Sequence, residues 1–426
     1  MHSTIERIVI ISDDSVEGGG AATVALESAR MLSRRGLHVT FFTGDTGSNP
    51  SLKCENVDVV ALGGANLLER SRATAAWRGL YDGHARSTLQ NWIEEHDTPQ
   101  TVYHLHNWHK ILSPAIFSAA STVANRLFLT AHDYFLTCPN GGYTNFRKNS
   151  PCTLTPLSSG CILSNCDKRS YAHKLWRVAR HMVRASLFDP HKTDATILAV
   201  SDPMIPMLER GGIPRRSIQV LRNPVTPWRT TRVAAENNRQ IFYVGRLEID
   251  KGADIAAEAA ALIQAPLTVV GDGPLKSVIT TLHPRARLTG RLNKRELGEL
   301  IGEARLLVMP TRWSETFGLV AAEALMCGVP VVASNRAPIS ADIVKNGFGL
   351  TCSPEDVAQL AHQLDKLMTD DETVAEMSHA AYSRARLLAP TPDQWCDELI
   401  QLYEQKLDNA RYQRNAMAEP VAVTAS

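Results

Sequence analysis

Long apolar runs are missing from this 426-residue chain: no stretch approaches the eighteen or so residues that a membrane-spanning helix requires. A charge of one sign is missing as well. The formal net charge is +1, which offers no general attraction for nucleic acid, and none is expected as a partner. The amino terminus, Met1-His2-Ser3-Thr4-Ile5-Glu6-Arg7, has no secretory pattern, so the expectation is a cytoplasmic chain with reduced cysteines. No CxxC pair occurs among Cys138, Cys152, Cys161 and Cys166, whose gaps are 13, 8 and 4 residues. A complete GxGxxG is also lacking. Gly271-Asp272-Gly273 is followed by Lys276 where the third glycine would stand, which argues against an NAD enzyme.

What is present is an alternation of short β-branched runs with helical stretches, twice over. Arg7–Ile11, 39–43, 57–62, 102–104, 127–131 and 197–200 read as strands of a first parallel sheet wrapped by helices. The polar stretch 226–240 reads as a linker, after which strands recur at 241–244, 267–270, 286–288, 306–309 and 329–333. The expected class is α/β, with two doubly wound Rossmann-like domains: 1–225, then 226–410, then a loose tail over 411–426. The final helical pieces, 354–409, pack on the second domain or, for the last of them, cross back to the first. The charge is uneven between them. Residues 1–230 hold 25 Lys+Arg against 19 Asp+Glu, and the remainder holds 20 against 25. Ligands of such sheets bind outside the carboxyl ends of the strands, so the loops after strands are where chemistry is expected.

Three such loops in the second half carry unusual residues. Val244-Gly245-Arg246-Leu247-Glu248-Ile249-Asp250-Lys251-Gly252 turns tightly and then offers two cations suited to a phosphate pair. A solvated turn is the alternative. Val270-Gly271-Asp272-Gly273-Pro274 reads as a plain tight turn. The third, Thr311-Arg312-Trp313-Ser314-Glu315, leads into a helix expected to begin near Phe317, whose first-turn N–H groups can bind an anion. Glu315 would lie beside that anion. Glu323 sits in an otherwise apolar run and needs a polar partner, and it lies roughly 7–10 Å further along the helix. That is about the span from a diphosphate to the sugar hydroxyls of its nucleoside. The alternative pairs Glu323 with a buried cation and leaves Glu315 as a surface acid.

At these residues the chain resembles the retaining glycosyltransferases of family 4, which have the GT-B fold. SETFGLVAAEAL with its E-x7-E spacing, VGRLEIDKG, GDGP and CGVPVVAS carry the resemblance, most specifically over 240–333. It implies that Arg246 and Lys251, after Gly245, hold the donor diphosphate. Glu315 would lie by the transferred sugar, the amides of Thr316, Phe317, Gly318 and Leu319 near phosphates and sugar, and Glu323 at the ribose. Arg246, Lys251, Glu315 and His132 are the residues expected to carry catalysis. The chain departs from the pattern at Arg336-Ala337-Pro338-Ile339-Ser340-Ala341-Asp342, where such enzymes often have a Gly-Gly-x-x-Glu turn.

In the first half, Gly18-Gly19-Gly20 precedes a helix expected over Ala21–Arg35, and glycines there let the backbone approach a ligand closely. By the resemblance, Gly19 and Gly20 match the glycine pair that meets donor phosphate or acceptor. Asp13 and Asp14 read as loop or capping acids. His132, at the end of the strand 127–131, can hydrogen-bond a sugar hydroxyl as a neutral imidazole, and it matches the family's functional histidine. Asp133 is expected to orient local backbone or to help the acceptor site. His104-Leu105-His106-Asn107-Trp108-His109 reads as acceptor contact or packing rather than metal.

The cysteine-rich insert, about 138–166, either clasps a structural zinc or holds free thiols, and free thiols are the reading taken. It is expected beside His132, shaping the acceptor pocket. A basic amphipathic helix over about 168–186 has no acid from 168 to 188, and it suits either an anionic membrane surface or a solvated basic face. The function these features imply is transfer of a sugar from a nucleotide diphosphate sugar to an acceptor hydroxyl of a glycan or lipid-linked sugar. Retention, exopolysaccharide or other cell-surface glycan assembly, and no cofactor or metal complete the reading, with location cytoplasmic or peripheral on the inner membrane face. The rivals are a sugar nucleotide epimerase or phosphorylase of the same fold, and a non-catalytic nucleotide-sugar-binding protein.

Overall fold

The computed structural model describes residues 5–16 and 18–418, without the side chains of Cys54 and 413–418. Five strands open the chain: β1 (Arg7–Ser12), β2 (Val39–Thr43), β3 (Asp58–Ala61), β4 (Thr101–Leu105) and β5 (Leu127–Ala131). A short antiparallel pair follows, β6 (Thr144–Asn145) with β7 (Ser150–Pro151), then β8 (Thr196–Ala199) and β9 (Ile218–Val220). All but the short pair form one parallel sheet in the order β3-β2-β1-β4-β5-β8-β9. The second sheet is parallel too, in the order β12-β11-β10-β13-β14-β15. It contains β10 (Gln240–Val244), β11 (Leu267–Val270), β12 (Arg287–Gly290), β13 (Ala304–Met309), β14 (Val331–Ser334) and β15 (Gly349–Cys352). Both sheets are doubly wound. The central strands β1, β2 and β4 are almost wholly buried, as expected of parallel strands covered on both faces.

The chain divides into two compact units: Met1–Gly141, Leu154–Leu221 and Asp393–Ser426 in one, Gly142–Thr153 and Arg222–Pro392 in the other. These bounds differ from the sequence ranges 1–225 and 226–410 in three places. The division falls at Leu221, the short pair β6–β7 goes with the second unit, and the last helix, Pro392–Ala418, returns to the first. The return has a hydrophobic cause. Trp395, Cys396, Leu399, Tyr403 and Leu407 join Ile8, Ile10, Val39, Phe41, Val102 and Phe128 in one buried cluster. Residues 411–418 are helical where a loose tail was expected, and 419–426 lie outside the described residues.

The basic helix forms as Tyr171–Leu187, with Ser170 capping its N-terminus. Its charges point the opposite way from the amphipathic expectation. Lys174, Arg180, His181 and Arg184 are buried, whereas Leu175 and Met182 are exposed. Arg180 donates to the His109 carbonyl at 2.7 Å and lies over the rings of Trp108 and Trp176. Arg177 pairs with the buried Asp167, Nε to Oδ2 at 3.2 Å. Long aliphatic stems let these cations sit inside once carbonyls, rings and one acid receive them. The solvated or membrane-facing basic stripe is therefore corrected: this helix presents no such face.

Candidate functional site

In the second unit, two loops that follow strands are bolted together. After β13, Arg312 forks onto Asp254 with both guanidinium nitrogens, at 2.8 and 2.7 Å, and donates to the Ile249 carbonyl at 2.7 Å. The backbone amides of Arg312 and Trp313 both donate to the Asp250 carbonyl, at 2.9 and 3.2 Å. This stitching brings the turn after β10 against the loop after β13. Lys251 Nζ then reaches Glu315 Oε1 at 2.5 Å, and Thr311 Oγ1 adds a longer bond of 3.4 Å to the same oxygen. Arg246 stands at the turn's outer side, more than half exposed, and pairs with Glu248 at 2.6 Å.

The glycines of the GDGP loop have a local explanation. A Cβ on Gly271 would lie 1.9 Å from the Gly245 carbonyl oxygen. The two loops also exchange backbone bonds, from Gly245 to Val270 at 2.9 Å and from Leu247 to Asp272 at 3.0 Å. The pair of glycines therefore serves a close approach of backbones that braces Gly245-Arg246-Leu247.

The helix after β13 begins at Leu319, two residues later than expected, because Gly318 adopts a left-handed conformation with φ 105°. The helix, Leu319–Met326, has no side-chain cap on its first turn. Thr316, Phe317 and Gly318 thus form the bend leading into it, with Phe317 buried as an anchor. Glu323 is four residues into the helix, roughly 6 Å along its axis. It keeps part of its side chain at the surface, yet burial of the carboxyl pushes its pKa up to about 7. Lys294 and a hydrogen bond with the Trp228 side chain only partly offset that push. No ion pair satisfies Glu323 among the described residues, so the alternative of a buried cation partner is not what the structure shows.

Sequence reading missed the part played by β6–β7. Ring centroids of Phe146 and Trp313 are 5.5 Å apart, and Thr144 Oγ1 and Ser314 Oγ are 3.3 Å apart. A Cβ on Gly142 would fall 2.4 Å from the Trp313 ring. Arg336, where the Gly-Gly-x-x-Glu turn was absent, donates to the Arg312 carbonyl at 2.7 Å and also bonds the Asn149 carbonyl and Glu355. The departure from the family pattern is thus matched by a hairpin seated on the loop that carries Glu315. The middle of the insert belongs to this loop rather than to a pocket around His132.

In the first unit, Gly19 and Gly20 open the helix Gly20–Arg34; among the described residues no side chain caps its N-terminus, and a Cβ on Gly19 would meet nothing within 4 Å. Asp13 is buried and structural: its carboxylate accepts from the amides of Lys110, Ile111 and Leu112 at 2.8 to 2.9 Å. Lys110 Nζ pairs with Asp14 at 2.9 Å. Asp133 accepts from the Phe135 amide at 2.8 Å and so orients local backbone. Burial raises its pKa to about 6.

His132 lies at the carboxyl end of β5, with Nε2 at 2.9 Å from His106 Nδ1. The His106 ring lies tilted against His104, centroids 4.1 Å apart, and His104 bonds the Tyr403 hydroxyl at 2.6 Å and Thr130 Oγ1 at 2.7 Å. Burial drives His104 and His132 down to about 3 and His106 well below its ordinary value, so all three are neutral near pH 7. His106 Nε2 is buried with no hydrogen-bond partner among the described residues. A bare buried acceptor costs less than an orphaned N–H, so His106 Nδ1–H donates and His132 Nε2 accepts. The proton of His132 then sits on Nδ1. A cavity of about 20 Å³, room for one water, is lined by His106, His109, Thr130, His132 and Asp133. A larger cavity of about 290 Å³, lined by Asp194, Arg216 and Lys406, contains none of the expected site residues.

Two doubly wound parallel sheets, with cations and a carboxylate gathered behind strand ends, define a protein of the GT-B class. Similar solved structures include sucrose-phosphate synthase from Thermosynechococcus elongatus (TM-score 0.70, 18% identity, 95% of this chain and 100% of that one). HepE of Anabaena in complex with UDP and glucose is another (TM-score 0.66, 17% identity, 94% and 100%). Residues 18–229 match the family described as Glycosyltransferase Family 4, and residues 226–384 match Glycosyl transferases group 1. The D-inositol 3-phosphate glycosyltransferase of Mycobacterium bovis is 31% identical over 379 residues, 83% of this chain and 72% of that protein. Glycogen synthase of Mycobacterium tuberculosis is 30% identical over 181 residues, 39% of this chain; the match spans 44% of that relative's length. The chain belongs to glycosyltransferase family 4.

Proposed function

We propose that the chain transfers a sugar, with retention, from a nucleotide diphosphate sugar to an acceptor hydroxyl in the assembly of a cell-surface glycan. The observation that carries this reading is the Lys251–Glu315 pair, at 2.5 Å, held beside the uncapped start of the helix Leu319–Met326. Breaking the bond from the sugar to the diphosphate leaves negative charge on the departing oxygen. Lys251, Arg246 and the first-turn amides stabilise that charge where it develops. Glu315 faces the transferred sugar and keeps Lys251 in place. Glu323, a carboxyl short of polar partners, takes the ribose hydroxyls. In the other unit, the neutral His132 and the open backbone at Gly19 are the groups offered to an acceptor. The cations supply the charge neutralisation that a metal would otherwise give, so the reaction as proposed uses no cofactor.

The acceptor is a glycan or lipid-linked sugar, and any membrane contact is peripheral. No described helix is long and apolar enough to cross a membrane. The exposed Trp77, with Arg72 and Arg78 on the helix Arg72–Leu80, supports such contact better than the helix Tyr171–Leu187 does. The test is a thermal-shift panel of UDP, GDP, ADP and TDP sugars on the wild type and on Arg246→Ala and Lys251→Met. Stabilisation by one nucleotide, lost in the variants, supports the donor site. No stabilisation of folded protein by any of them removes it. Release of free nucleotide only when an acceptor is present separates transfer from epimerase chemistry.

A further inference from the structure

The cavity of about 290 Å³ lies wholly within the first unit, at the amino end of its sheet. Asn125 stands just before β5, Thr193 and Asp194 just before β8, and Arg216 just before β9. His132 follows the opposite, carboxyl end of β5, so the length of that strand puts roughly 20 Å between the two places. The helix Pro392–Ala418 closes one side of the cavity with Lys406, Asn409 and Tyr412. Pockets for drug-sized ligands begin near roughly 300 Å³, so this volume suits one ring with a substituent rather than a nucleotide diphosphate sugar.

Two cations line it without a carboxylate partner. The Lys406 ammonium donates to the Asp194 carbonyl, and Arg216 donates to the His191 carbonyl at 2.9 Å. Neither is in an ion pair among the described residues. Burial pushes Lys406 below the ordinary lysine value, and Asp194 only partly offsets that push, so an anion beside the ammonium relieves a standing cost. Asp194 brings a carboxylate to the same cavity, and it too is in no ion pair among the described residues. Thr193 Oγ1 is buried with no hydrogen-bond partner among the described residues, a loss that a ligand hydroxyl recovers. Asn125 and Asn409 add amides that both donate and accept. Apolar lining is confined to Ala195, Ala410 and the Tyr412 ring, which leaves no recess for an apolar side chain.

We propose that this cavity is a second ligand site, separate from the donor site, and that it binds a sugar monophosphate. Lys406 and Arg216 take the phosphate, Asp194, Asn125 and Asn409 take hydroxyls, and the Tyr412 ring covers one face of the sugar. A neutral sugar would leave both cations without a counter-charge. Inorganic phosphate would answer the cations but place a second anion near Asp194 and leave the amides unused. A molecule with charge at one end and hydroxyls at the other satisfies both halves of the lining.

The experiment is calorimetric titration of the full chain with glucose 6-phosphate, mannose 6-phosphate and ribose 5-phosphate. Each is compared with its free sugar, with inorganic phosphate, and with serine, a zwitterion that also carries both charges. At least one sugar phosphate is expected to bind at millimolar concentration or below, about tenfold more tightly than inorganic phosphate, serine or its free sugar. Lys406→Met and Arg216→Gln are each expected to weaken that binding by about 10- to 100-fold, the worth of a charged hydrogen bond. Arg216 is exposed, so its variant decides the matter if Lys406→Met does not fold. Lys251→Met, which disables the proposed donor site, is expected to bind the sugar phosphate as wild type does. Three results overturn the proposal: no sugar phosphate bound, equal or tighter binding of phosphate or serine, or binding that Arg216→Gln leaves unchanged. No sugar nucleotide enters the titrations, so their failure leaves the transferase reading untouched.

Discussion

Lys251 Nζ and Glu315 Oε1, 64 positions apart in the chain, meet at 2.5 Å. The meeting depends on Arg312, which locks the loop after β13 onto Asp254 and the Ile249 carbonyl. Lys251→Met is expected to lower kcat by about 100- to 1000-fold, the usual loss when one donor to a developing anion is removed. Arg312→Lys, which keeps the charge but loses the fork, is expected to lower kcat about tenfold by letting Lys251 drift. Transfer kinetics with the donor found in the thermal-shift panel check both, and full activity in Lys251→Met would remove the pair from the mechanism.

Glu323 gives a pH signature. Its pKa is raised to about 7 by burial, so any stability it contributes is complete below the unfolded value near 4.5 and is lost as pH rises through 7. Glu323→Gln removes that loss and is expected to stabilise the ligand-free protein at pH 8 by on the order of 1–3 kcal/mol. The same substitution is expected to weaken nucleotide binding by roughly 10- to 100-fold, the worth of charged hydrogen bonds to hydroxyls. Urea unfolding at pH 5 and pH 8, with calorimetric titration of the nucleotide, measures the two effects.

The buried histidines act in the opposite direction. Burial holds His104, His132 and His181 at about 3, and His106 and His109 well below their ordinary value. Stability tied to these groups is complete above the unfolded value near 6.5 and falls as pH drops from there toward 3, by about 1.4 kcal/mol per pH unit for each histidine. Melting temperature is expected to fall steeply between pH 6.5 and 4.5, with a shallower slope in His104→Phe. Nitrogen-15 NMR is expected to show His132 Nε2 unprotonated at pH 7. A protonated Nε2 would reverse the tautomer assigned here.

Gly142 is the tightest point between the hairpin and Trp313. Gly142→Leu forces the indole aside, and overpacking of this kind costs roughly 1–3 kcal/mol. Activity is expected to fall along with a shift in tryptophan emission, because the displaced loop carries Glu315. An unchanged kcat with a shifted emission would show that the hairpin does not position that carboxylate.

Much of the fold was legible because strand runs and helix periods are local. The strands 39–43, 127–131 and 267–270 have the bounds the sequence suggested. The short β9 and β15 were not recognised: β9 has only three residues, and β15, Gly349-Leu350-Thr351-Cys352, opens on glycine and lacks the β-branched apolar run of Leu267–Val270. At the site, post-strand position identified the loops with Lys251, Glu315 and His132, and the apolar neighbours of Glu323 marked it as a carboxyl in need of a partner. His106 was read only as acceptor contact or packing, and its bond to His132 depends on two strands lying side by side in the sheet.

The sequence by itself determined the alternation of strand and helix and the loops that follow the strands, since neighbouring residues encode period and turns. Tertiary structure alone decided three other matters. The cations of the helix Tyr171–Leu187 point inward because rings, carbonyls and thiols from distant segments receive them. The segment 142–153 leaves the first unit because Trp313 offers its glycine and phenylalanine a surface. Lys251 finds Glu315 because a bidentate arginine closes the gap between two loops. Each is a pairing of residues far apart in the chain, and such pairings exist only once the backbone has closed around them.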